Sequence, residues 1–300
     1  MATLENNLLK VIIDENRSMK IDSFIDKKNN KNWVWKPEKL PDNPQRDLDL
    51  KADFDSNWTG GWEEVFPNDA PCEFDDFKLV DHGEVWRKRW KKIKQDEFSV
   101  TAVFQCETMP FQLEKTITLD SNGASLILDY KIKNNSSRSL PYIFKFHPAL
   151  CIEEGDRFIL PPSKMRPVAL PFSRLLGDAD EMNFPVGKNP QGKVINIEKV
   201  LHNDNYSREF VKISDLKSGE CSLFNPKTKT ELKFEFSMDD LPYVWLFQSY
   251  GGFMDHYVAM LEPSNTFDYD LANSYQENKA HLIDGMGEKS ISITISVRDL

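Results

Sequence analysis

Period-two alternation of apolar and polar residues is the strongest constraint on what this chain can become. Phe111, Leu113, Ile117 and Leu119 alternate with Gln112, Glu114, Thr116 and Thr118. After Asp120-Ser121-Asn122-Gly123, Leu126, Leu128, Tyr130 and Ile132 alternate with Ser125, Asp129 and Lys131. Asn-Gly suits the positive φ of a tight turn, so the two runs read as one antiparallel hairpin. The same pattern recurs at Leu232, Phe234 and Phe236 and again at Ile291, Ile293, Ile295 and Val297. Strands with one wet and one dry face bury the dry one against a second sheet, which predicts an all-β fold, a large antiparallel β-sandwich.

Shorter strands are expected at Leu8 to Ile13, Glu84 to Ile93, Phe98 to Glu107, Pro141 to His147, Tyr243 to Ser249 and His256 to Glu262. Long amphipathic helices are absent, and Val194 to Leu201 and Leu271 to Ala280 read as short helical pieces. Stretches rich in Pro and Asn (Pro37 to Arg46, Pro161 to Pro171, Asn183 to Gln191) read as long loops, because strands resume on both sides. With no break in composition and no internal repeat, residues 1–300 read as one domain.

The formal charge of −10 repels phosphate backbones and anionic headgroups, so nucleic acid and membrane surfaces are poor partners. Cys72, Cys106, Cys151 and Cys221 are widely spaced and form no C-x-x-C pair, which fits reduced, buried thiols. No basic segment followed by an apolar one opens the chain, and the expected location is cytoplasmic.

Histidine is scarce, so each of the five (His82, His147, His202, His256, His281) is informative. His147 follows the run Tyr142 to Phe146 and precedes Pro148, which reads as a strand end pointing into a mouth. A histidine that merely caps the strand is an equal reading. Glu262 likewise closes the apolar run Tyr257 to Leu261 before Pro263, where partial desolvation would raise its pKa and suit it to act as a base. A surface glutamate is the competing reading. His82 lies in Val80-Asp81-His82-Gly83, where Gly83 permits a tight bend and Asp81 can fix a ring tautomer. The segment Thr59-Gly60-Gly61-Trp62-Glu63-Glu64 to Pro67-Asn68 reads as a functional loop, and a mobile loop with buried aromatics is the stronger competing reading. Among the tryptophans, Trp62 and Trp86 are the first candidates for stacking on a sugar face. The basic cluster Arg87-Lys88-Arg89-Lys91-Lys92 reads as a solvated strand face. Glycine patterns for nucleotides, H-x-H and H-E-x-x-H metal spacings and a G-x-S-x-G elbow are all missing.

Together these phrases resemble the aldose 1-epimerase (galactose mutarotase-like) superfamily over nearly the whole chain. Leu9 to Ile13 with Lys20 to Phe24 resembles its first hairpin, and the hairpin leading to His147-Pro148 resembles its core segment. Val258-Ala259-Met260-Leu261-Glu262-Pro263 resembles its glutamate strand, and His281 to Gly285 before Ser290 to Val297 resembles its close. The resemblance implies a β-sandwich with an open sugar cleft and no cofactor. It makes His147 the acid that protonates the ring oxygen of an aldose and Glu262 the base that deprotonates the anomeric hydroxyl. His82, Glu64, Trp62 and Trp86 become substrate-binding residues. The chain departs from the galactose mutarotases in lacking Asn-Arg before its first histidine. It departs from the hexose-phosphate branch, His-Gly-Phe-Ala-Arg, in placing Trp86 where the arginine stands.

The expected function is therefore interconversion of the α and β anomers of an aldose by acid/base ring opening, with a small-molecule sugar as partner. A non-catalytic sugar-binding protein on the same fold is the first alternative. A glycoside hydrolase or lyase pairing Glu262 with Glu64 or Asp81 is the second. The sequence leaves the sugar, its phosphorylation state and the oligomeric state open.

Overall fold

The computed structural model describes residues 1–39, 47–168 and 172–300. Among these residues an 11-stranded and an 8-stranded sheet, each antiparallel, face one another with apolar side chains between them. The hairpin read from the sequence is the centre of the smaller sheet: Phe111–Leu119 pairs with Ser125–Asn134, which pairs in turn with Glu288–Asp299. Its alternation is realised as burial, with Phe111, Leu113, Ile117, Leu119, Leu126, Leu128 and Ile132 essentially unexposed. This is the large antiparallel β-sandwich that the alternation predicted.

One residue on the dry face of that hairpin is charged. Lys115 points inward with Leu113 and Ile117, and its ammonium meets Glu64 of the opposite sheet at 2.5 Å. The Tyr130 hydroxyl donates to the same carboxylate oxygen at 2.7 Å, and Lys115 also donates to the Met19 carbonyl at 3.2 Å. Glu64 and Lys115 are both fully unexposed, so this is a polar tie between the sheets.

Several local expectations change. Glu84 to Ile93 is not one strand: a turn and its flanking bends take up Glu84 to Lys88, and the strand is Lys91–Gln95. The cause is Arg87, whose guanidinium is sunk among the carbonyls of Gly83, Asp49, Ala52 and Asp81 and so draws the backbone into a knot. Val194–Asn196 is a short strand paired with Val186–Lys188, not a helical piece, whereas Leu271–Gln276 is helical. The stretches read as loops carry short strands at Lys164–Pro167 and Met182–Asn183. Parts of two of those stretches, 40–46 and 169–171, lie outside the described residues.

The largest correction concerns His147 and Glu262. Neither ends a strand: Lys145–Leu150 and His256–Ser264 both run on through their prolines, near the middle of the larger sheet. They pair at Lys145↔Ser264, Ala149↔Met260 and Leu150↔Ala259, and the ladder lapses between. Pro148 and Pro263 fall in that interval and have no N–H to donate, which accounts for the parting. No described helix is long and apolar enough to cross a membrane.

Candidate functional site

Strand register places the chemistry. Continuing the pairing of Lys145 with Ser264 and of Ala149 with Met260 inward sets His147 opposite Glu262. On its other side His147 is paired with Glu63 of the strand Trp62–Val65. Glu262 is paired with Trp245 of Tyr243–Phe253, and Trp245 with Lys212 of Arg208–Ser214. Residues directly opposite across a sheet share one face. Glu63, His147, Glu262, Trp245 and Lys212 therefore form a single row across five adjacent strands. Intervening residues such as Phe146, Leu261, Leu246 and Val211 point the other way and are buried in the inter-sheet core.

Three members of the row, His147, Glu262 and Trp245, line a cavity of about 420 Å³. Its floor continues into an apolar row, Met260, Phe247 and Phe210, aligned by the same register. Walls come from loops. The short helix Phe54–Asn57, capped by Asp53, presents Phe54 and then Trp58, whose rings lie 5.6 and 6.1 Å from that of His147. The Asp69 to Pro71 and Asp81 to His82 segments also line it.

His82 reaches the cavity through strained backbone. Its φ is +54° and that of Gly83 is +65°. A side chain on Gly83 would collide with the Phe66 carbonyl, so only glycine fits there. The ring of His82 lies flat on Phe54, with centroids 3.9 Å apart. Its Nδ1 donates to Asp81 Oδ1 at 2.9 Å, and Nε2 stands 4.0 Å from Asp69 Oδ1. Gly83→Ala should lower the unfolding free energy by roughly 1–3 kcal/mol, and with it the denaturation midpoint, and shift the His82 titration seen by NMR. An unchanged midpoint and an unchanged titration would show that the bend is dispensable.

Burial dominates the electrostatics. It raises Glu262 to about 7, against the attraction of Lys145, and raises Glu63 to about 7 against that of Lys20. Burial, then the neighbouring His82 and Lys145, pushes His147 down to about 3, so its imidazole is neutral at neutral pH. His147 Nδ1 has no hydrogen-bond partner. For His82 burial favours the neutral ring, but Asp81 and Asp69 outweigh it and leave the pKa raised. For Asp69 burial opposes ionisation, but Lys145, which is ion-paired to it, and His82 keep it lowered.

The structure brings His82, His147 and Glu262 to one cavity and moves the other three sequence candidates away from it. Trp62 is fully buried between the sheets against Phe24, Phe146 and Phe234, its Nε1 donating to the Ala149 carbonyl. Glu64, one residue on from the row's Glu63, faces the core and Lys115. Trp86 lies behind the wall, edge-on to Phe54 at 4.9 Å and capped by Arg87. Arg87 thus braces the loops from behind and does not take the place of a substrate-facing arginine. Phe54, Trp58, Asp69, Lys145, Trp245 and Lys212 were not singled out from sequence. Only Lys145 carried a usable signal, since it shares the strand face of His147 two residues away.

Among solved structures, the fold is similar to that of Slr1438 from Synechocystis sp. PCC 6803, with a TM-score of 0.73 at 13% identity, covering 100% of this chain and 96% of that one. A galactose mutarotase-like protein from Lactobacillus casei ATCC 334 superposes with a TM-score of 0.72 at 16% identity, over 99% of this chain and 100% of that one. Another from Clostridium acetobutylicum gives 0.69 at 15% identity, over 99% and 95%. No curated protein matches the sequence. The family described as a domain of unknown function, DUF4432, matches residues 88–297, well over half of the chain, and the chain belongs to that family.

Proposed function

We propose that the cavity exchanges the anomers of an aldose by acid/base ring opening. The supporting observation is the register that sets His147 opposite Glu262 on adjacent strands, facing a space of monosaccharide size. Glu262, raised to about 7 by burial, takes the proton of the anomeric hydroxyl. His147 delivers a proton to the ring oxygen. It stands neutral before the reaction and draws that proton from His82, whose ring lies 6.2 Å away and which two carboxylates hold toward the imidazolium. The ring opens to the aldehyde, rotates about C1–C2 and recloses on its other face. Met260, Phe247, Phe210 and Phe54 offer apolar surface to the C–H groups of the sugar.

A polarimetric screen of free and acidic aldoses tests this reading. Activity should rise with pH as Glu262 ionises around 7 and fall as His82 loses its proton above the ordinary imidazole value. Asp81→Asn removes one of the charges that raise His82, so it should move the falling limb to lower pH. His147→Asn should reduce the rate about 10²- to 10⁴-fold. Sugar binding with no exchange in wild type, or exchange indifferent to His147→Asn, would leave a carbohydrate-binding protein as the better reading.

A further inference from the structure

The cavity is short of side chains that could hold sugar hydroxyls. Among the described residues no Ser, Thr, Asn, Gln or Arg lines it. Its charged groups are already engaged: Lys145 is ion-paired to Asp69, and His82 donates to Asp81. Asp55 and Tyr269 are exposed, and Trp245 spends its indole N–H on the Thr266 carbonyl at 2.9 Å. The Nε1 of Trp58 is buried. The rest of the lining belongs to a hydrophobic cluster of its own, apart from the inter-sheet core, in which Phe54, Trp58, Phe247 and Met260 pack with Phe210 and Phe253. Centroids from Trp245 to Phe210, Phe247 and Phe253 follow one another at 5.5, 5.4 and 5.6 Å, the last two contacts edge-on. This apolar wall is therefore held by its own packing.

We propose that Met260, Phe247 and Phe210 form a subsite that selects deoxy-aldoses, sugars lacking a hydroxyl on the part of the ring remote from the anomeric carbon. The inference rests on reading the cavity as an aldose site. Met260 and Phe247 stand on the same strands as Glu262 and Trp245, two residues along, and Phe210 continues their row. Two residues along a strand is roughly 7 Å. That offset is comparable with the reach of a pyranose from its anomeric carbon to its substituents at C4 and C6. A sugar seated with C1 at Glu262 and its ring oxygen at His147 therefore lays that remote part on the thioether and the two rings. A hydroxyl brought there leaves water and finds no partner, whereas a CH₂ or CH₃ group gains apolar contact.

The test compares glucose with 2-deoxy-, 4-deoxy- and 6-deoxyglucose as substrates of the full chain, each rate corrected for spontaneous exchange. For the 4-deoxy or the 6-deoxy sugar kcat/KM should exceed that for glucose by about 10- to 100-fold, mainly through KM. The sugar changed at C2, beside the anomeric carbon, should show no such gain. Phe210→Gln puts an amide into the apolar row and should bring the ratio back toward one, whereas Phe210→Leu keeps the row apolar and should retain the preference. If Phe210→Gln does not fold, the nearly isosteric Met260→Gln replaces it. A wild-type ratio at or below one for both remote positions, an equal gain for 2-deoxyglucose, or a preference unmoved by the glutamine variant overturns the proposal while leaving anomer exchange itself standing. If wild type exchanges none of these sugars, the aldose reading falls instead, and calorimetry with the methyl glycosides of glucose, 4-deoxyglucose and 6-deoxyglucose decides the subsite. Tighter binding of either deoxy glycoside supports it, whereas equal or absent binding overturns it.

Discussion

Glu262→Gln should abolish anomer exchange and at the same time stabilise the protein at alkaline pH. The first effect is the loss of a positioned base, about 10²- to 10⁴-fold or more in rate. The second follows from burial, which lifts the Glu262 carboxyl from 4.5 to about 7 in the folded state. Between those values the folded chain holds a proton that the unfolded chain has released, so stability declines as pH rises through the window. The destabilisation is absent below about pH 4.5 and complete above about pH 7. Its size is roughly 3 kcal/mol, since each pKa unit corresponds to about 1.4 kcal/mol. Denaturant titrations of wild type and Glu262→Gln at pH 4 and pH 8 should therefore coincide at the lower pH and separate at the higher. Glu63 is raised for the same reason and should leave part of the pH dependence in the variant. Equal stability of the two proteins at pH 8 would mean that Glu262 is not held in a water-poor site.

The opposite behaviour is expected at the other face of the same sheet. Lys115→Met leaves Glu64 as a carboxylate between the two sheets with only the Tyr130 hydroxyl against it. Removing one partner of a buried ion pair costs about 3–5 kcal/mol, because the remaining charge cannot be solvated. The denaturation midpoint should fall accordingly, and Lys115→Met combined with Glu64→Gln should recover much of the loss. Below its transition, Lys115→Met should exchange anomers at the wild-type rate per folded molecule, since Lys115 points away from the cavity. An unchanged midpoint, or a double variant no better than the single, would contradict the inter-sheet pair.

The fold was legible because alternation is written directly into residues such as Phe111 to Leu119 and Ile291 to Val297. Lys115 already stood on the dry face of that hairpin, but its partner is contributed by a strand far away in sequence. The choice between Glu63 and Glu64 was decided by parity: adjacent strand residues face opposite ways, and nothing local says which way Trp62–Val65 is turned. His147-Pro148 and Glu262-Pro263 were legible as chemistry but misread as strand ends. A proline normally argues against a central strand, and here two of them interrupt one shared ladder from both sides. Phe54, Trp58 and Asp69 lie on connecting segments whose approach depends on Arg87 and Gly83, and no periodicity reports such contacts.

The cross-sheet row gives this protein an internal check on its own assembly. A slip of one position in the strand Lys145–Leu150 would present Phe146 or Pro148 where His147 belongs, and a slip in His256–Ser264 would replace Glu262 by Leu261 or Pro263. Misregistered molecules would be compact yet inert. Turnover per folded molecule would then report strand alignment, a quantity that circular dichroism and compactness measurements do not see.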